Sequence, residues 1–284
     1  MATFTNQATL SYLGVDTLSN IVTGEILDSL AVSKTAVTET YTAGDALTYV
    51  IALTNSGTVS LSGLTVTDDL GAYPFGTGTL VPLSYVQGSL LYFVNGVLQP
   101  TPAVTDTSPL TVTGITVPAG GDSILVYSAI PNGYAPLGVG GQIENTVTVS
   151  GAGVVTPLVA TETVTAANGS GLAITKAMTP TTVTEGDTIT YTLTIENFGT
   201  EPIVATDGAI VTDTFDPILA ITAVTLNGVP LAEGTQYTYN ETTGAFATLS
   251  GALPIPGATA VQDPTTGVWT LVPGTAVLTI TGTV

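Results

Sequence analysis

Apolar and polar residues alternate with a period of two in short runs, the clearest being LTYVIAL at 47–53 and ITYTLTI at 189–195. That period puts successive side chains on opposite faces of an extended chain, so each run predicts a half-buried strand. Asn-Ser-Gly and Asn-Phe-Gly follow the two runs as turn signals. No helical period competes with them. Many short strands with turn punctuation predict an all-β chain of sandwich modules.

The two runs belong to an internal repeat. One copy reads KTAVTETYTAGDALTYVIALTNSG from Lys34, then LTVTDDL at 64–70. The other reads KAMTPTTVTEGDTITYTLTIENFG from Lys176, then AIVTDTF at 209–215. Lys34 aligns with Lys176, Gly44-Asp45 with Gly186-Asp187, Tyr49 with Tyr191, Asn55 with Asn197, Gly57 with Gly199, and Asp68 with Asp213. The first copy closes on NTVTVSGAGVVTPLVATETVTA from Asn145, whereas the second runs through TAVLTITGTV to Val284 without such a segment. A matching one, NQATLSYLGVDTLSNIVTGEI, begins at Asn6. Asp68 stands 77 positions before Asn145; Asp213 to Val284 is 71 positions, and Asn6 of a following copy restores the interval.

Lys, Gly-Asp-x-x-x-Tyr, Asn-x-Gly, Val-Thr-Asp and finally Asn-Thr-x-Thr-Val resemble the conserved repeat domain family (domain of unknown function 11). Its members are immunoglobulin-like modules of bacterial and archaeal surface proteins. The resemblance implies two tandem immunoglobulin-like β-sandwich modules, the second completed by a donated N-terminal strand or hairpin. It places a donor hairpin and connector at 1–28, module 1 at 29–167, and an incomplete acceptor module 2 at 168–284.

A sandwich lacking a strand exposes unpaired backbone and an apolar groove, which a strand from another chain can fill. In the N-terminal segment Phe4, Ala8, Leu10 and Tyr12 fall on one face, against Thr5, Gln7, Thr9 and Ser11 on the other. The expected partners are therefore further copies of the chain, and a heterologous contact of this kind propagates into a filament. Two other geometries stay open. Residues 1–27 could add an ordinary strand pair to module 1. Alternatively the hairpin could fold back on its own second module, although the six residues from Asp28 to Ser33 reach only about 20 Å.

Composition narrows the chemistry. Of 284 residues, 44% are hydrophobic and 8% charged, which favours a packed core over disorder. The net charge of −19 comes from 21 acids against two bases, so nothing could neutralise phosphate, and nucleic acid and anionic membranes are poor partners. With no His and no Cys, the usual general base, the thiolate nucleophile, disulfides and the common metal ligands are all missing. No cofactor, no metal and no external enzyme activity are expected. No apolar run is long enough to span a bilayer, and MATFTNQATLSY has neither the basic nor the apolar region of a signal peptide. Membrane insertion is not expected, and a surface location would require prior processing or release by lysis, as from a spore mother cell.

The two bases, Lys34 and Lys176, occupy the same position of the two repeats. Each repeat adds an acid, Asp68 or Asp213, and a closing-strand asparagine, Asn145 within the chain or Asn6 from a neighbour. Lys, acid and Asn on adjoining strands are what a spontaneous isopeptide bond requires, as in Gram-positive pilins and adhesins. Burial lowers a lysine's pKa towards a neutral nucleophile and raises an acid's so that it can shuttle protons while ammonia leaves. The expectation is Lys34 bonded to Asn145 with Asp68 assisting, and Lys176 bonded to Asn6 of the next subunit with Asp213 assisting. A buried ion pair with a hydrogen-bonded Asn would gather the same residues without chemistry. Asp69 could replace Asp68 as the acid, but its counterpart is Thr214.

Asn55 and Asn197 read as turn residues. Gly44-Asp45 and Gly186-Asp187 read as strand starts, with no Asp-x-Asp-x-Asp calcium loop nearby. Asp207, Asp213 and Asp216 read as loop carboxylates, and Trp269 as a core residue in preference to a sugar-stacking surface with Tyr237 and Tyr239. The expected role is a structural subunit of an extracellular, cell- or spore-surface filament, with autocatalytic bond formation as its chemistry. The alternative is a binding module from a larger adhesin or S-layer protein.

Overall fold

The computed structural model describes residues 2–26, 29–151, 153–169 and 171–284. Among them the only helix is one 3₁₀ turn, Ala205–Asp207, and no helix is long and apolar enough to cross a membrane. Two units separate, residues 1–135 with 142–165, and residues 136–141 with 166–284.

The chain opens with a long hairpin. Strand β1 (Ala2–Asn6), β2 (Thr9–Tyr12), β3 (Val15–Leu18) and β4 (Val22–Ile26) pair as β1 with β4 and β2 with β3. Leu13 and Gly14 turn the tip with φ of 49° and 81°, the double left-handed conformation of a tight hairpin turn. Gly24 leaves room for the Phe4 ring, which lies where a Cβ would project. Among the described residues these four strands pair only with one another. Among the described residues no strand of the hairpin pairs with either sheet of module 1.

Module 1 follows as β5 (Leu30–Ala36), β6 (Thr40–Tyr41), β7 (Leu47–Asn55), β8 (Leu61–Asp68), β9 (Tyr73–Phe75), β10 (Gly78–Leu80), β11 (Leu83–Tyr85), β12 (Leu91–Val94) and β13 (Val97–Gln99). It continues with β14 (Ala103–Thr107), β15 (Leu110–Val117), β16 (Asp122–Pro131), β17 (Gln142–Ser150) and β18 (Leu158–Ala166). One sheet has the order β13-β12-β16-β7-β5, with β11 also on β16, and the other β14-β15-β8-β17-β18-β6. Alternate residues of β7 (Leu47, Tyr49, Ile51, Leu53), of β8 (Leu64, Val66), of β16 (Leu125, Tyr127, Ala129) and of β17 (Ile143, Val147, Val149) are buried as the core. This is the burial that the period of two demands.

Module 2 comprises β19 (Leu172–Thr179), β20 (Thr188–Asn197), β21 (Thr212–Thr214), β22 (Ala220–Leu226), β23 (Val229–Pro230), β24 (Tyr237–Asn240), β25 (Ala245–Thr248), β26 (Thr259–Gln262), β27 (Trp269–Val272) and β28 (Gly274–Thr283). Its sheets run β19-β20-β28-β22-β23 and β21-β25-β24, with β26–β27 as a separate hairpin. Ile189, Leu193, Ile195, Leu278 and Ile280 from the first pack with Phe246 of β25 and with Val211 and Phe215, which flank β21.

Strand for strand, β5 matches β19, β7 matches β20, β8 matches β21, β15 matches β25 and β16 matches β28. The hairpins β12–β13 and β22–β23 both turn on an Asn-Gly pair with positive φ, Asn95-Gly96 and Asn227-Gly228, as a two-residue loop requires. In module 1, β8 lies between β15 and β17; in module 2, β21 pairs with β25 alone. Among the described residues nothing occupies the places of β17 and β18.

Candidate functional site

Strand β5 is buried at Leu30 and again at Lys34, so the alternation that seats a leucine in the core also seats an ammonium there. Its partner is Asp68, the last residue of β8, at 2.6 Å from Nζ to Oδ2, and both side chains are sealed from solvent at 0% and 1% exposure. Burial pushes the Lys34 amine below the ordinary lysine range, against the pull of Asp68. Asn145 on β17 is fully buried beside them. Sheet pairing explains the convergence: Asp68 lies opposite Val147, two residues from Asn145 and therefore on the same face.

A fourth group completes the cluster. Tyr127 Oη donates to Asp68 Oδ2 at 2.7 Å and accepts from Asn145 Nδ2 at 3.0 Å. Its ring stacks on Tyr49 with centroids 5.5 Å apart, and Lys34 Nζ lies 5.1 Å from the Tyr49 centroid. Burial raises both phenols well above the usual tyrosine range, so they stay protonated. Asn145 Oδ1 is buried without a hydrogen bond of good geometry, and the Tyr49 hydroxyl, likewise unbonded by geometry, lies within electrostatic reach of the same amide. An orphan amide carbonyl beside a buried amine is a costly arrangement for a purely structural cluster.

Asp69 has a different role. Its Oδ1 accepts from the backbone N–H groups of Gly71 (2.8 Å) and Thr146 (2.9 Å), tying β17 to the end of β8. Burial raises its pKa.

Module 2 holds half of the same cluster. Lys176 Nζ contacts Asp213 Oδ2 at 2.5 Å, but the lysine side chain is 39% exposed. The ammonium lies 4.5 Å from the Tyr191 centroid and 5.2 Å from that of Phe215, and among the described residues it hydrogen-bonds only Asp213. The phenol has no counterpart. Tyr127 faces Tyr49 across its strand pair, and the residue facing Tyr191 is Ile280. Around the pair the surface is open and apolar. Leu172 is 52% exposed where Leu30 is 6%, and Leu172, Ile174, Ile195, Ile210, Val211 and Ile255 line a cleft of about 170 Å³.

Asn6, Phe4, Ala8, Leu10 and Tyr12 all sit on the N-terminal hairpin and are exposed, with Phe4 at 53%, Leu10 at 69% and Tyr12 at 73%. The structure thus brings Lys34, Asp68 and Asn145 together, and Lys176 with Asp213, and leaves the hairpin residues with neither group. Sequence reasoning missed Tyr127. Its signal was an inward tyrosine in an alternating run whose counterpart in the other repeat is isoleucine.

The remaining candidates have local duties. Asn55 and Asn197, both buried, bond the turn that follows each strand, to Val59 O and Gly57 N in one case and to Glu201 O and Gly199 N in the other. Asp45 and Asp187 cap turns through Thr42 and Thr184, whose hydroxyl and amide hydrogen bonds hold these carboxylates below their usual range. Tyr237 belongs to the module 2 core, while Trp269 lies half-buried on the separate β26–β27 hairpin, so the expectation of a core tryptophan is corrected. Among the described residues no group of acids could hold a metal ion.

The two ion pairs predict unequal responses. Asp68→Ala strands a buried ammonium and lowers the unfolding free energy of module 1 by about 3–5 kcal/mol. Asp213→Ala, at a solvent-exposed lysine, costs module 2 less than ~1 kcal/mol. Urea denaturation of the two variants checks the contrast.

No family model matches the chain, and no curated protein matches it; the family resemblance rests on its motifs. Among solved structures, BcpA, the major pilin subunit of Bacillus cereus, gives a TM-score of 0.36 at 14% identity, over 87% of this chain and 65% of that one. The RrgB pilus backbone of Streptococcus pneumoniae gives 0.33 at 14% identity, over 42% of this chain and 51% of that one. A family 123 glycoside hydrolase from Clostridium perfringens gives 0.30 at 12% identity, over 48% of this chain and 27% of that one. The chain therefore spans about half the length of the RrgB chain it matches. All three TM-scores lie below 0.5.

Proposed function

We propose that the chain is a structural subunit of a self-assembling surface filament, each N-terminal hairpin closing the second module of the next copy. One observation carries the reading. Among the described residues module 2 is open along β21, where β17 and β18 close module 1, while a hairpin with the same Asn-led alternation stands exposed and pairs only within itself. The filled site in module 1 supplies the register. With Asn6 in the place of Asn145, Ala8 comes opposite Asp213 and Leu10 opposite Val211, as Val147 lies opposite Asp68 and Val149 opposite Val66. Phe4 takes the place of Ile143. Backbone pairing along β21 gives affinity, and the alternate side chains fix register. The contact joins unlike surfaces, so it repeats head to tail along a fibre on the outside of a cell or spore.

Covalent closure follows from the same geometry. In module 1, Lys34 surrenders a proton to Asp68, and its neutral nitrogen adds to the side-chain carbonyl carbon of Asn145. Ammonia leaves, and an isopeptide bond remains. At the joint Lys176, Asp213 and the neighbour's Asn6 take the same three roles, with the incoming hairpin supplying the burial that Lys176 lacks in the free subunit. A chain without cysteine thereby gains permanent cross-links.

Intact-mass spectrometry of subunit and polymer, after boiling in denaturant, tests the reading. The expected result is a monomer lighter by one ammonia and a ladder of covalent oligomers that each lose one more per joint. Monomers of unmodified mass refute the bonds. Monodisperse particles by electron microscopy refute the filament and leave a binding module or an internally closed monomer.

A further inference from the structure

Tyr127 is the one group of the buried cluster that neither forms the proposed cross-link nor takes the lysine's proton. Tyr127 Oη touches Asp68 Oδ2 at 2.7 Å and Asn145 Nδ2 at 3.0 Å, and Lys34 Nζ touches the same Oδ2 at 2.6 Å. The single phenolic proton points to the carboxylate, so the phenol oxygen can only accept from the asparagine, which fixes Nδ2 as the atom facing it. Nδ2 is the leaving group of the proposed reaction. The geometry is an unbroken line of hydrogen bonds from nucleophile to leaving group: Lys34 Nζ, Asp68 Oδ2, Tyr127 Oη, Asn145 Nδ2. All four residues are buried, so no water competes for the proton.

Resting on the Lys34–Asn145 bond, we propose that Tyr127 is the proton relay of that reaction, the acid that converts the asparagine nitrogen into departing ammonia. Lys34 gives one proton to Asp68, and its freed electron pair forms the Nζ–Cγ bond. In the tetrahedral adduct Nδ2 becomes an amine with a free electron pair. The protonated Asp68 now donates to Tyr127 Oη, and the phenolic hydrogen turns from Asp68 to Nδ2. Tyr127 passes that proton to Nδ2 and recovers one from Asp68. The Cγ–Nδ2 bond breaks with its electron pair on nitrogen, and ammonia leaves. The new amide nitrogen returns its surplus proton to Asp68, which ends protonated. Atoms and charge balance with no outside reactant. An amide nitrogen is a poor leaving group until it is protonated, which is why a positioned acid counts at this step.

The second site lacks the relay, because buried Ile280 stands where the phenol would be. There Asp213 has to serve both Lys176 and the neighbour's Asn6 by direct contact. The internal and intermolecular bonds are thus built on different proton paths, and removal of the phenol affects only the first.

The test follows ammonia loss by intact mass in freshly refolded protein. Tyr127→Phe keeps the ring and its stack on Tyr49 and is expected to slow formation of the internal bond by roughly 10²-fold or more. Joint formation in the same variant is expected to continue. Site-specific replacement of Tyr127 by a fluorinated tyrosine keeps size and hydrogen bonds but makes the phenol more acidic. It is expected to shift the pH–rate profile of the internal bond, which a packing role would not do. A wild-type rate in Tyr127→Phe, or an unmoved profile in the fluorotyrosine protein, overturns the relay while the bond itself stands. Absence of ammonia loss from the wild-type protein overturns the bond and the relay together.

Discussion

Deleting residues 1–12 abolishes filament formation and leaves module 1 folded. The truncation removes β1 and β2, and with them Phe4, Ala8, Leu10 and Tyr12, all exposed in the subunit. Because they bury little there, their loss changes the subunit's own stability only slightly. In the proposed joint Phe4, Ala8 and Leu10 do what Ile143, Val147 and Val149 do in module 1, where each is 1% exposed or less. Burying Phe4 and Leu10 is worth about 1.5–3 kcal/mol each, Ala8 adds less, and the ladder along β21 adds its hydrogen bonds. Negative-stain electron microscopy and light scattering read assembly, and the urea transition of module 1 reads the fold. Filaments of ordinary length from the truncated chain would remove the basis for strand donation.

Lys176→Ala converts a boiling-resistant polymer into one that falls apart to monomers in hot denaturant. Filaments still form, because the hairpin and the cleft of module 2 are intact, but each joint is held by non-covalent contacts alone. Asn6→Ala in the donor gives the same outcome from the other side. Lys34→Ala is the control for position: it removes the internal bond, lowers the stability of module 1 and leaves the ladder of covalent oligomers in place. Denaturing electrophoresis of boiled polymer distinguishes the three. A persistent ladder in Lys176→Ala would mean that another pair of residues makes the joint, or that no isopeptide bond is involved.

The repeat was legible because its markers are local. Gly44-Asp45 and Gly186-Asp187, Asn55 and Asn197, and the alternating runs that include Tyr49 and Tyr191 each specify a turn or a strand over a few residues. The same type of signal marks Asn95-Gly96 and Asn227-Gly228, which align a further hairpin of the two modules. Lys34 was conspicuous because bases are so rare in this chain. Its burial was expected from the Lys, acid and Asn combination and not from the strand pattern, where a lysine at an inward position is only a break in the alternation. Leu30 and Leu172 make the same point. They occupy equivalent places in the repeat, yet one is covered and the other half-exposed, a difference that no local pattern marks.

What the sequence determined by itself is the set of strands, their inward and outward faces, and the two-fold repetition, all of which follow from the period-two geometry of an extended chain and from turn residues. Which strands pair, and in what register, was decided only in the tertiary structure. Strands β5, β8, β16 and β17 come together through non-local ladders, and a one-residue slip in any of them would turn Lys34, Asp68, Tyr127 or Asn145 to the opposite face. The hairpin at the start of the chain shows the same division. Its alternation was written in the sequence, but that among the described residues its strands pair only with one another, and β21 only with β25, depends on backbone hydrogen bonds that no local pattern encodes.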